Sequence, residues 1–115
     1  MNNIYAPLLE LGIELPSMAS PVGLYEPAVS FGNLLFVSGQ TPTSEGRAVV
    51  VGRVGDDVSL ATARNAARLA VLNVSACISA VADSLDRVRR VVRVIGYVRS
   101  ALAPVDVELT VELHA

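Results

Sequence analysis

The residues of this sequence that could do chemistry are few, and their types exclude more than they permit. All nine cationic side chains are arginines. Without lysine there is no Schiff-base amine, no pyridoxal-phosphate anchor and no phosphate-loop lysine. A single histidine, His114, and a single cysteine, Cys77, cannot build a zinc site in one subunit, because such a site takes three or four nitrogen or sulfur ligands. Three copies of His114 around a threefold axis would supply enough nitrogens, but the penultimate residue of a chain is a poor ligand. Cys77 has no partner for an intrachain disulfide, in keeping with a reducing compartment. With no base beside it, its thiol reads as inert core.

Carboxylates and arginines remain. Asp106, Glu108, Thr110 and Glu112 occupy every even position of the stretch from Val105 to Leu113, so one face of a strand carries them to solvent, to a cleft or to another subunit. Arg93 lies within the apolar run from Val88 to Val98. Its guanidinium can grip a carboxylate in two parallel hydrogen bonds, or form a solvated or interface ion pair with Asp106 or Glu108. The ion pair is the plainer reading. Arg87, Arg89 and Arg90 form a charged turn and edge.

The elements that must position these groups follow from periodicity. Ile4, Leu8 and Leu11 predict a short helix over Asn3 to Leu11 that Gly12 stops, acting as a lid or brace. Ala28 to Phe31 and Leu34 to Ser38, on either side of Gly32 and Asn33, predict a two-residue hairpin. Ala48 to Val51 is expected as a third antiparallel strand. Asp56, Asp57 and Ser59 offer caps and matching charge for a helix of about 25 residues reaching Asp83. Along it Ala63, Ala66, Ala67, Ala70, Val74, Cys77, Ile78 and Val81 form one stripe of mostly small apolar side chains, suited to lying close on a sheet. Val88 to Val98 and Val105 to Leu113 are expected as strands.

The chain has 115 residues, 52% of them hydrophobic and 17% charged, which predicts one domain over residues 1–115 and excludes intrinsic disorder. The mean hydropathy of +0.51 is high for so small a unit. A domain of this size leaves a large share of its surface exposed, so the expectation is a homo-oligomer that covers apolar patches with copies of itself. The net charge of −2 and the lack of a basic, aromatic-interleaved stretch argue against a nucleic-acid partner. No apolar run reaches membrane-spanning length and no secretory leader pattern opens the chain, so a soluble, cytoplasmic protein with no membrane partner is expected.

Six segments carry a resemblance to a known family: ELGIELP (10–16), PVGLYEPAV (21–29), GNLLFVSGQTP (32–42), VSLATARNAARLAVLN (58–73), SLDRVRRVVRVIGYV (84–98) and PVDVELTVEL (104–113). In that order they resemble the Rid, or YjgF-like, family of reactive enamine and imine deaminases, and in particular its divergent branch often labelled endoribonuclease. The resemblance implies an α+β, chorismate-mutase-like fold: a mixed sheet with helices packed on one face. It also implies a homotrimer with active sites in the clefts between subunits, and hydrolysis of small enamine or imine acids to keto acids and ammonia with no cofactor.

The same resemblance implies roles for particular residues. Tyr25 lines the cleft and offers its hydroxyl to a small carboxylate ligand. Ser38, Gly39, Gln40 and Thr41, followed by Pro42, shape the cleft floor, although a strand-ending turn alone accounts for Gly39 and Pro42. Asp106 stands where the family has a glutamate that positions and activates water, and it is one methylene shorter. The chain departs from the family beyond Val98. There the family has a second helix and a strand, the strand bearing an arginine that holds the substrate carboxylate, whereas here only Ser100 to Ala103 intervenes and nothing aligns with that arginine. Loss of some 20 to 40 residues, about a helix and a strand with their connections, would strip a strand from the sheet, which favours a segment present in the whole protein but absent from this sequence. A non-catalytic trimer that binds small carboxylates or a partner protein is the alternative.

Overall fold

The computed structural model describes residues 5–18 and 24–101. Helix α1 spans Tyr5–Glu10, inside the expected range. It ends where Gly12 takes a φ of +67° and the Ile13 amide donates to the Leu8 carbonyl at 2.8 Å, a closure that satisfies carbonyls the last turn leaves open. Strands β1 (Ala28–Phe31) and β2 (Leu34–Val37) pair antiparallel, with Ala28 opposite Val37 and Phe31 opposite Leu34. Gly32, at a φ of +60°, makes the turn that the Gly-Asn pair announces.

Beyond the hairpin the structure departs from expectation. In place of a strand over Ala48 to Val51, a two-residue ladder pairs β3 (Thr43–Ser44) with β4 (Arg47–Ala48). Glu45 and Gly46 both have positive φ, 52° and 77°, the backbone of a tight hairpin turn. The pairing runs one step further, the Val49 amide donating to the Pro42 carbonyl at 3.0 Å, and leaves Val50 and Val51 outside it.

Helix α2 spans Leu60–Val81. Its N-cap is Ser59, whose Oγ accepts from the Thr62 amide at 3.2 Å, the capping geometry that favours serine at this position. One side of α2 packs against β1, β2, β3 and the 3₁₀ turn Leu85–Arg87. The core gathers there: Ala28, Val54, Val58, Ala76, Cys77 and Leu85 are buried, with Asn73 as the buried polar residue among those described. The register puts Ala28, Ser30, Leu35 and Val37 on one hairpin face, and Val29, Phe31, Leu34 and Phe36 on the other. Those last four are all exposed.

Tyr5 ties α1 to the segment that follows α2. The Leu85 amide donates to its hydroxyl at 3.0 Å, and that hydroxyl also lies 3.2 Å from Ser79 Oγ. These hydrogen bonds, that with Ser79 first, hold the phenol below its ordinary pKa.

The segment from Val88 to Val98, expected as a strand, lies outside every ladder among the described residues and is exposed along its length. Its far end is tied in: the Val54 amide donates to the Arg99 carbonyl at 3.0 Å and the Ala101 amide to the Val54 carbonyl at 2.9 Å. The expected strand from Val105 to Leu113 lies outside the described residues. Among those described, no helix is long and apolar enough to cross a membrane.

Candidate functional site

The site is built at the open end of the β1–β2 hairpin. The antiparallel register continues one pair past the strand ends, with the Ser38 amide donating to the Pro27 carbonyl at 3.0 Å. The Ser38 hydroxyl donates to the Glu26 carbonyl. This places the start of the turn beside the residue that follows Tyr25, whose ring is about half exposed. Gln40 folds back, its Nε2 donating to the Ser38 carbonyl at 3.3 Å. Pro42 fixes the backbone locally, and the Thr43 amide reaches the Thr41 carbonyl at 2.8 Å across it.

The turn is then fastened to α2. Asn73 Nδ2 donates to the Thr41 carbonyl at 2.9 Å and to the Thr43 carbonyl at 3.0 Å. Between the two anchors the floor is open: a Cβ added at Gly39 would meet no atom within 4 Å. An exposed ring, a hydroxyl already turned inward, a primary amide and an uncovered glycine backbone can together receive a small polar ligand through hydrogen bonds and close backbone approach.

Of the residues singled out from the sequence, the structure brings Tyr25, Ser38, Gly39, Gln40 and Thr41 to this one end of the hairpin. Arg93 is exposed on the unpaired 88–98 segment and makes no hydrogen bond to the turn. Asp106 lies outside the described residues, as does Glu108, so the ion pair expected with Arg93 lies there too. Cys77, one helical turn beyond Asn73, is 1% exposed, and burial pushes its thiol pKa up, as an inert core residue requires.

Sequence reasoning missed Asn73. Its signal was present: it follows Ala66 and Ala70 and precedes Cys77 at spacings of four, three and four, so a primary amide occupies a position of the apolar stripe. A polar side chain there must find partners, since burying an amide without hydrogen bonds is costly.

A second cluster fixes where α2 begins. Asp57 Oδ1 accepts from the Arg53 amide at 2.6 Å, and this bond, foremost among the causes, holds the carboxyl below its ordinary value of 3.8. The loop so closed buries Val54 and Val58 and leads into the Ser59 cap.

Comparison with known proteins agrees with this architecture. Residues 6–108 match the family described as "YjgF/chorismate mutase-like, putative endoribonuclease". Protein TCP17 of Trypanosoma cruzi is 36% identical over 98 residues, 85% of this chain and 61% of that protein. A crystal structure described as a "putative endoribonuclease" from Shewanella oneidensis MR-1 superposes with a TM-score of 0.72 at 34% identity, covering 77% of this chain and 59% of that one. Protein Atu1372 of Agrobacterium tumefaciens, of unknown function, superposes at 0.63 with 41% identity, over 75% of this chain and 51% of its own. The chain thus spans about three fifths of the curated relative it matches. With the hairpin, the long helix laid across one of its faces and a match over nearly the whole sequence, the chain belongs to the YjgF/chorismate mutase-like family.

Proposed function

We propose that the whole protein is a cytoplasmic, cofactor-independent hydrolase that converts small reactive enamine or imine acids to keto acids and ammonia. The observation that carries this reading is the Ser38 to Thr41 turn, anchored to Asn73 on one side and on the other to Glu26, which Tyr25 precedes in the chain. Family membership supports it. In the reaction an enamine first becomes the imine by moving a proton from nitrogen to its terminal carbon; water then adds to the carbon of the C=N bond, a proton passes to nitrogen, and the carbinolamine collapses to release ammonia and leave the keto acid. A carboxylate suits the first step because it accepts the proton that water gives up. Asp106 takes that role, and Tyr25 with the turn receives the substrate.

The working form is a homotrimer with clefts between subunits. It is supported by the four exposed apolar residues on one hairpin face, a patch that favours being covered. Light scattering checks the assembly. The decisive assay follows the decay of 2-aminoacrylate or 2-iminopropionate with and without purified protein. Faster decay is expected, and an unchanged rate refutes the hydrolase reading.

A second reading, binding of small carboxylates without turnover, is favoured by the lack of a residue in this sequence that aligns with the family's carboxylate-holding arginine and by the shorter aspartate at 106. A melting shift with a keto acid in the absence of catalysis would select it. The endoribonuclease wording used for the relatives draws no support from the turn itself, which carries no imidazole: the sole histidine of this sequence is His114.

A further inference from the structure

We infer that Asn73 is the positioning residue of the candidate site: its amide, buried in α2, sets the shape of the turn that presents Ser38, Gln40 and Thr41. The inference rests on reading that turn as the site. Asn73 is 5% exposed, and two carbonyl oxygens face its side chain, so only the NH₂ end can meet them. Its two hydrogens are matched by the two acceptors, the Thr41 and Thr43 carbonyls at 2.9 and 3.0 Å.

The acceptors flank Pro42, whose φ is fixed, and the Thr43 amide already bonds the Thr41 carbonyl. Three residues of backbone are therefore held to a 22-residue helix through one side chain. At the other end of the turn the Ser38 amide and hydroxyl bond the Pro27 and Glu26 carbonyls. The hairpin fixes where the turn begins, and Asn73 fixes where it ends. The span between them, Gly39 and Gln40, is open to a ligand yet pinned on both sides. Asn73 thereby sets how far Gln40 and Thr41 stand from Tyr25 without itself touching a substrate.

Two variants of the whole protein, Asn73→Leu and Asn73→Asp, test this by amide hydrogen exchange. Leucine keeps the volume and removes both donors. At pH 7 the Thr43 and Val49 amides, which bond Thr41 and Pro42, should exchange about 30-fold faster, as expected when two ordinary hydrogen bonds are lost from a local opening. The Ala82 amide, bonded to Ile78 at the end of α2, should keep its rate.

In Asn73→Asp the ionised carboxyl turns acceptor oxygens on two carbonyls, whereas the neutral acid regains one O–H donor. Burial against carbonyls raises its native pKa above the ordinary aspartate value, so the defect is smallest below that ordinary value and grows as pH rises through the native one. Exchange at Thr43 should therefore fall back to within about fivefold of the parent at pH 4, while the leucine variant stays fast at both pH values. A residue that merely fills space would give no such difference between the variants.

Unchanged exchange at Thr43 and Val49, or a carboxyl variant that ignores pH, overturns the inference. Global unfolding of both variants overturns it too, since Asn73 would then serve the whole fold rather than the turn. The measurement needs no ligand, so its failure is separate from that of the function. Turn amides that respond as expected, in a protein that neither turns over 2-iminopropionate nor binds pyruvate, would remove the hydrolase reading and leave Asn73 as the clamp of the turn.

Discussion

Replacing Gly52 by alanine is the smallest change with a calculable effect on the loop that starts α2. Gly52 has a φ of +141°, a region that side-chain-bearing residues occupy at a cost of about 1–3 kcal/mol. An added Cβ would stand 2.5 Å from Asp57 Oδ1 and 2.7 Å from both Asp57 Cγ and Oδ2. The exposed Asp57 side chain can swing away, but only by leaving the Arg53 amide it holds at 2.6 Å. The same loop carries the Val58 amide to the Arg53 carbonyl at 3.0 Å and, through Val54, ties down Arg99 and Ala101. The backbone cost alone should lower the unfolding midpoint by several degrees, given about 4–8 °C per kcal/mol for domains near this size. Thermal unfolding of Gly52→Ala, Asp57→Ala and the double variant separates the contributions. With the carboxylate gone, the glycine substitution should cost only the backbone share. An unchanged midpoint for Gly52→Ala, or an equal loss with and without the carboxylate, refutes the reasoning.

Two further outcomes follow from the titrating groups. Because the native pKa of Asp57 lies below 3.8, its bond to the Arg53 amide stabilises the fold above that value and fades as pH falls through the lower native one. The gap in stability between the parent and Asp57→Asn should thus be constant near neutrality and shrink in acid, and a gap independent of pH in denaturant titrations counts against the bond. Cys77, buried and with its thiol pKa raised, should resist iodoacetamide in the native protein at pH 8 and react fully once unfolded. Rapid labelling of the native protein would show that the α2 stripe is not packed as described.

Much of this architecture is legible in the residues because local chemistry and tertiary packing agree. Gly32 and Asn33 mark a turn that the backbone takes up with a positive φ, and Ser59 marks a helix start where its hydroxyl accepts from Thr62. The valines from 49 to 51 mislead because strand character expresses itself only against a partner edge, and the Glu45–Gly46 turn closes its ladder at Ala48. The Val88 to Val98 run has the same dependence on a neighbouring strand. Within the candidate site, Tyr25 and the Ser38 to Thr41 turn are recognisable by resemblance, and the hairpin gathers them. Asn73 escapes notice because a stripe read by hydrophobicity passes over the one amide in it, although that amide decides how the turn sits.

The Tyr5 brace bears on the order in which the chain assembles. Its hydroxyl meets the Leu85 amide across 80 positions of sequence, whereas the pairing of Phe31 with Leu34 spans a single turn. Closing a long loop costs entropy before any contact rewards it. The hairpin and the 22-residue helix are therefore expected to form early, as local events, and the Tyr5 contact with the end of α2 to form late. During synthesis the first helix leaves the ribosome long before its anchor at Leu85 exists, and it waits, unattached, for nearly the whole of the described chain to follow.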